Sequence, residues 1–320
     1  MYELETAATF LTALATTMYL TKRFISRFRQ GGYLVKDMYK PEKPKIPTMG
    51  GVAMIGGLMV SLVAAEILIR NSEFVEKLLI FYFVIFIYGV FGLLDDLIAV
   101  KSRFKKIYIL YFLALPIALL NIDTTADIFS IHIPLGWMYS FILAPLYVMV
   151  VANLINMHAG FNGLDSGLTS ILLAATGLKA YMKYDGDVLL YLAPILGAVL
   201  AFFWYNKYPS RIFPGNTGSL IYGAALGGLI ILYNLELFGM VILTPHIINF
   251  ILWIYWKMNM HVYPHKKFAK LLPDGTIKPP NKLTLKYLVT SLFKVRELRA
   301  TIILYAITIG FCGLGLVFIP

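Results

Sequence analysis

Apolar residues fall in ten long stretches, at about 6–21, 49–69, 78–94, 107–122, 136–155, 164–180, 187–204, 217–235, 238–256 and 300–319. Most approach the ~20 residues that a helix needs to cross a hydrocarbon core. Two are less regular, since the fourth carries Pro116 and the ninth carries Pro245 and His246. Packing against neighbouring helices can satisfy backbone groups freed at such points. The pattern predicts an all-α, polytopic membrane bundle of about ten transmembrane helices, folded as a single domain over 1–320. With ten spans, both termini lie on one side of the bilayer.

The polar connections then alternate between two faces. One face receives 22–48, 95–106, 156–163, 205–216 and the long loop 257–299. Of the 28 Lys and Arg residues, all but Arg70, Lys77, Lys179 and Lys183 fall on that face. The excess of cations marks it as cytoplasmic and places both termini outside. One missed span would scramble this separation, so the charge supports the count of ten.

Composition agrees, with 59% hydrophobic and only 14% charged residues, far from the balance of a soluble domain. The net charge of +11 is compatible with nucleic acid, anionic lipid or a phosphorylated substrate. Its confinement to membrane-proximal loops favours the last two and excludes nucleic acid as the expected partner. The single cysteine, Cys312, lies in an apolar run, so neither a disulfide framework nor a thiolate metal site is expected. The first residues, Met-Tyr-Glu-Leu-Glu, have no basic leader, and the first stretch is expected to be retained as a helix.

Four polar motifs on the cationic face carry candidate chemistry. Asp95 and Asp96 close the third apolar stretch and are followed by Lys101, Arg103, Lys105 and Lys106. Two carboxylates at a helix C-terminus oppose its dipole and call for a positive partner, either a basic side chain or a divalent cation; a solvated pair leaving the membrane is the simpler alternative. The run Asn153-Leu-Ile-Asn156 through Asn162-Gly-Leu-Asp165 puts amides and an acid at membrane depth, which is costly and points to function. Helix capping or close helix approach explains one or two of these residues but not the set. The string Trp204-Tyr-Asn206-Lys-Tyr-Pro-Ser-Arg211-Ile-Phe-Pro-Gly-Asn216-Thr-Gly-Ser219 turns into a helix whose first N–H groups form an expected phosphate site; Asn216 as a simple N-cap and Arg211 on lipid headgroups are the alternatives. His265, Lys266 and Lys267 suit a polyanion or a lipid surface. Gathered on one face, these groups suit metal-assisted handling of phosphates.

In this order the motifs resemble the polyprenyl-phosphate N-acetylhexosamine-1-phosphate transferases. The resemblance runs from Asp37-Met-Tyr-Lys40 and Pro47-Thr-Met-Gly-Gly51 through Asp95-Asp96, Asn153–Gly167 and the Tyr208–Gly218 string to Asn281-Lys-Leu-Thr-Leu285 and Arg296. Most of these look like the eukaryotic and archaeal branch, which makes dolichyl-diphosphate-GlcNAc, whereas Pro47–Gly51 looks bacterial. The mixture suggests an archaeal protein. The His-rich loop of the bacterial MurNAc-pentapeptide enzyme is missing.

The resemblance implies ten spans in the cell membrane, a cytoplasmic active site, Mg2+ or Mn2+, a UDP-N-acetylhexosamine donor such as UDP-GlcNAc, and a polyprenyl or dolichyl phosphate acceptor, with a homodimer admitted. It makes Asn156 and Asn216 metal ligands, Asp95, Asp96 and Lys105 catalytic, and Asn162 a uridine contact. Asp37 and Lys40 would line the acceptor side, with Asn153, Asp165, Arg211, His265, Lys266 and Lys267 completing the substrate-binding set. The family carries Asp where this chain has Asn216, and a polar residue where it has Ala99, so weaker metal binding is expected. Two rivals are a transporter, for which no internal repeat is visible, and a catalytically weak binding member of the same family.

Overall fold

The computed structural model describes residues 2–120, 123–128, 131–184, 186–263 and 268–319. Twelve α-helices dominate it among these residues. They are α1 (Glu3–Gln30), α2 (Gly51–Leu68), α3 (Ser72–Ile98), α4 (Arg103–Ala114), α5 (Ala144–Met157) and α6 (Leu164–Lys183). Then come α7 (Val188–Asn206), α8 (Gly215–Leu232), α9 (Glu236–Ile242), α10 (Thr244–Met258), α11 (Leu285–Phe293) and α12 (Glu297–Phe318). A 3-10 segment, Leu115–Leu120, continues α4, and a π segment, Tyr139–Leu143, leads into α5.

Helix therefore occupies each of the ten apolar stretches. Among the described residues six helical segments are long and apolar enough to cross a membrane, or seven if α9 and α10, bent by 65° at Leu243, form one broken span. The bend falls just before Pro245, whose missing N–H and ring bulk break helical continuity.

The bundle is apolar on both its inside and its outside. Leu11, Ile67, Ile98 and Val317 are each more than half exposed on its outer surface, as expected when lipid rather than water is the surrounding solvent. Helix α8 runs through the centre, with Leu220, Ile221, Tyr222, Leu226, Leu229 and Ile230 essentially inaccessible. It packs against α3, α5 and α6, while α1 lies between α2 and α7.

Three two-stranded antiparallel hairpins decorate the helix ends: β1 (Leu34–Lys36) with β2 (Lys45–Pro47), β3 (Thr125–Ile128) with β4 (Ile131–Pro134), and β5 (Lys270–Leu271) with β6 (Ile277–Lys278). Loops that sequence pattern leaves unassigned thus acquire local pairing. The first hairpin is also tied down: Gly50 N–H donates to Phe213 O at 2.9 Å, Phe213 N–H to Pro47 O at 2.8 Å, and Gly51 N–H to Pro214 O at 3.0 Å. These bonds explain the Pro47–Gly51 and Phe213–Asn216 strings together, because each supplies the other's backbone partners.

One contact fixes α3 against α8. A Cβ at Gly92 would lie 2.6 Å from Asn216 O and 2.7 Å from Thr217 N, closer than any side chain permits. Gly92→Ala is expected to push the two helices apart at a cost of about 1–3 kcal/mol. A melting temperature in detergent that matches the wild type would refute this reading of the contact.

Candidate active site

The ends of α3, α5, α6, α7 and α8 converge with the first hairpin around a cleft of about 380 Å³. Asp37, Asp96, Asn156, Asn162, Asp165 and Asn216 all line it. Residues far apart in sequence are brought together because the C-terminal ends of α3 and α5, the first turns of α6 and α8, and the loops carrying Asp37 and Asn162 meet at one cleft.

The aspartate pair is divided. Successive helical positions point about 100° apart, and the two carboxylates go to different partners. Asp95, 4% exposed, turns toward α4: its Oδ2 accepts from Lys106 Nζ at 2.6 Å and its Oδ1 from Val100 N–H at 3.0 Å. It is not among the cleft-lining residues. Asp96 lines the cleft and accepts from Asn216 N–H at 2.8 Å, Thr217 N–H at 3.0 Å and the Thr217 hydroxyl at 2.8 Å. The first N–H groups of α8, expected as a free phosphate site, are thus capped by a carboxylate from α3. A helix N-terminus accepts any suitable anion, and here the protein supplies its own. Gly215, at φ +70°, makes room for it, since a Cβ there would lie 2.3 Å from Asp96 Oδ2.

Asn162, 3% exposed, is held on several sides. Its Oδ1 accepts from Lys40 Nζ at 3.2 Å and Ser210 N–H at 2.8 Å, and its N–H donates to Glu297 Oε1 at 2.7 Å. Lys40 also pairs closely with Glu297 Oε2, and with Asp37 at 3.2 Å. Asp165, 6% exposed, accepts from Ser219 Oγ at 3.2 Å and from Ser166 N–H at 2.9 Å. The side chains of Asn156 and Asn216 line the cleft and make no hydrogen bond among the described residues. Asn156 and Asn216 thus offer uncommitted amide oxygens in the cleft that Asp165 also lines, oxygen donors of the kind that Mg2+ or Mn2+ takes.

Other predicted residues lie elsewhere. Asn153 is folded back on its own helix, donating to Met149 O at 2.8 Å, so it does not share the cleft with Asn156. Lys105 is exposed, and it is Lys106 that reaches Asp95. Arg211 is exposed, stacked over the Tyr205 ring at 4.5 Å with a bond to Trp204 O. His265, Lys266 and Lys267 lie outside the described residues. Sequence reasoning gave no role to Glu297 or Lys286, and it quoted Asn206 and Ser219 only as members of the Trp204–Ser219 string. The only signal for Glu297 is an acid opening an apolar stretch, which reads equally as favourable pairing with a helix dipole.

Lys286, on α11, donates to Ala159 O at 2.9 Å behind the cleft wall. Burial pushes its ammonium down to about 8, with the Glu297 carboxylate opposing that shift. The unfolded chain keeps the ordinary lysine value near 10.4, so between the two values it binds more protons than the folded one. Stability is therefore expected to rise as pH increases from about 8 toward 10. Lys286→Met should abolish that rise in detergent melting curves, and an unchanged slope would contradict it.

Comparison with known proteins matches residues 78–234 to the glycosyl transferase family 4 model. A Saccharolobus solfataricus protein provisionally named UDP-N-acetylglucosamine–dolichyl-phosphate N-acetylglucosaminephosphotransferase is 26% identical over 315 residues, covering 93% of this chain and 92% of the relative. Its namesake from Sulfolobus acidocaldarius is 28% identical over 322 residues, covering 96% and 94%. The Streptococcus equi phospho-N-acetylmuramoyl-pentapeptide-transferase is 31% identical over 245 residues, covering 71% and 72%.

Proposed function

The chain belongs to glycosyl transferase family 4, the polyprenyl-phosphate N-acetylhexosamine-1-phosphate transferases, and we propose that it transfers GlcNAc-1-phosphate from UDP-GlcNAc to a polyprenyl phosphate. The products are polyprenyl-diphosphate-GlcNAc and UMP, and dolichyl phosphate is the preferred acceptor. Relatives aligned over more than nine-tenths of the chain carry a name with this donor and acceptor. The observation that carries the proposal is the cleft itself, where Asp96, Asp165, Asn156, Asn162 and Asn216 converge at helix ends.

In the reaction a phosphate oxygen of the acceptor attacks the β-phosphorus of the donor, and the bond from that phosphorus to the bridging oxygen breaks as UMP leaves. Phosphoryl transfer asks a protein mainly for positioning and for compensation of charge. Asn156 and Asn216, with Asp165 in the same cleft, would hold Mg2+, which when bound would polarise the diphosphate. Asp96 keeps the first turn of α8, and with it Asn216, in fixed register with α3. Three of its acceptor positions are committed, and the residue lines the cleft. The acceptor phosphate monoester is already largely ionised near pH 7, so attack needs no strong base from the protein.

Ten spans with the cleft on the cytoplasmic face fit this chemistry. Lys179 Nζ donates to Ile319 O at 2.6 Å, joining the far ends of α6 and α12. The cation-rich loops read from the sequence would then lie on the cleft side, as the positive-inside rule asks of a cytoplasmic site. Purified protein given UDP-GlcNAc, Mg2+ and polyprenyl phosphate should release UMP. Absence of turnover with every UDP-N-acetylhexosamine would sink the proposal.

A further inference from the structure

Glu297 is the first residue of α12 and is 3% exposed, yet it lies at the junction of four separate chain segments. Its two carboxylate oxygens face two different donors. One accepts the ammonium of Lys40 from the loop before α2, and the other accepts Asn162 N–H from the α5–α6 turn at 2.7 Å. Lys40 is held further by Asp37 at 3.2 Å and lies 4.2 Å over the Tyr208 ring. The same ammonium donates to Asn162 Oδ1 at 3.2 Å, and Ser210 N–H donates to that oxygen at 2.8 Å.

The carboxamide of Asn162 is thereby oriented. Its oxygen has two lone pairs, and both are taken by donors on the protein side. Its NH2 makes no hydrogen bond among the described residues, while Asn162 lines the cleft. The end offered to a ligand is therefore a donor. Were Lys40 displaced, the amide could rotate and offer its oxygen instead, reversing what it recognises.

We propose that Glu297 is a positioning residue: by holding Lys40 and the Asn162 main chain it locks the Asn162 carboxamide with its NH2 toward the cleft, so that this spot selects an acceptor oxygen of the nucleotide donor. The inference rests on the transferase reading above.

Glu297→Gln tests it with little change in shape. Gln has one acceptor oxygen where two donors must be met, so one contact becomes donor against donor. The expected result is a KM for UDP-GlcNAc raised about tenfold, with kcat changed by about twofold or less, the size of a lost hydrogen bond to a charged group. Glu297→Asp, which keeps two acceptor oxygens, should recover most of that KM. Asn162→Asp, which has no NH2, should raise KM similarly, and E297Q combined with N162D should add nothing further, because both act on one contact. Binding of UDP-GlcNAc measured on the monodisperse fraction keeps the test readable where E297Q yields little folded protein. A wild-type KM in E297Q, additive effects in the double variant, or loss of kcat with KM unchanged would each overturn the assignment. A wild-type enzyme without turnover would instead refute the transferase reading.

Discussion

Asp96→Ala is expected to lower UMP release by about a thousandfold, the largest effect of any single substitution in the cleft. The carboxylate takes two main-chain N–H groups and one hydroxyl at the start of α8. Its removal leaves these three donors without their acceptor in a part-buried site and unties α3 from the helix that presents Asn216. Phosphoryl transfer is sensitive to such misplacement, since a shift of about 1 Å can cost about a hundredfold. Loss of the negative charge at the cleft mouth supplies the remainder. Asp96→Asn keeps the shape but sets an NH2 against N–H donors, so it is expected to fall nearly as far. Asp95→Asn is the contrast. Asp95 faces Lys106 and Val100 rather than the cleft, so its loss should lower the melting temperature more than kcat. Measuring kcat and melting temperature across the three variants decides the matter. An Asp96→Ala enzyme within about tenfold of the wild type would exclude the role given to this carboxylate.

The division of the pair shows where sequence pattern stops. Apolar stretches are a property of the chain itself, so the helical membrane bundle was legible in the sequence. The motifs Asp37–Lys40, Asp95–Asp96, Asn153–Asp165 and Phe213–Asn216 could be gathered onto one face by topology alone. Which member of each motif turns inward could not. Asp95 and Asp96 are adjacent and chemically identical, and only the 100° step of the helix and the position of α8 separate them. Asn153 and Asn156 share a helix face by spacing, yet Asn153 satisfies itself on Met149. Lys105 and Lys106 are alike in sequence, and the route of α4 selects Lys106. Glu297 is more distant still. It lies 135 residues from Asn162 and 257 from Lys40, with no local feature to distinguish it from a helix-opening acid. The capped N-terminus of α8 has the same origin: local sequence exposes its N–H groups, and a distant carboxylate occupies them.

Asn216→Asp should strengthen Mg2+ dependence, lowering the half-saturating Mg2+ concentration for UMP release by about thirtyfold, because affinity in oxygen-donor sites follows the number of charged ligands. The structure gives this expectation a second half. The Asn216 main-chain N–H is bonded to Asp96 Oδ1 at 2.8 Å, so a carboxylate at position 216 stands beside one already in place. Two like charges in a part-buried cleft repel unless a cation lies between them. The start of α8 already spends its partial positive charge on Asp96, so the helix dipole offers the newcomer little relief. The variant is therefore expected to be less stable than the wild type in chelator and to regain that loss as Mg2+ is added, so that its melting temperature climbs more steeply with Mg2+. On this reading an amide at 216 would give up charge on the metal and in return avoid a cleft that holds together only when loaded. Parallel titrations of UMP release and melting temperature test both halves. Identical Mg2+ dependence in the two proteins would remove Asn216 from the metal-binding set, leaving Asn156 and Asp165 as the oxygen donors of the cleft.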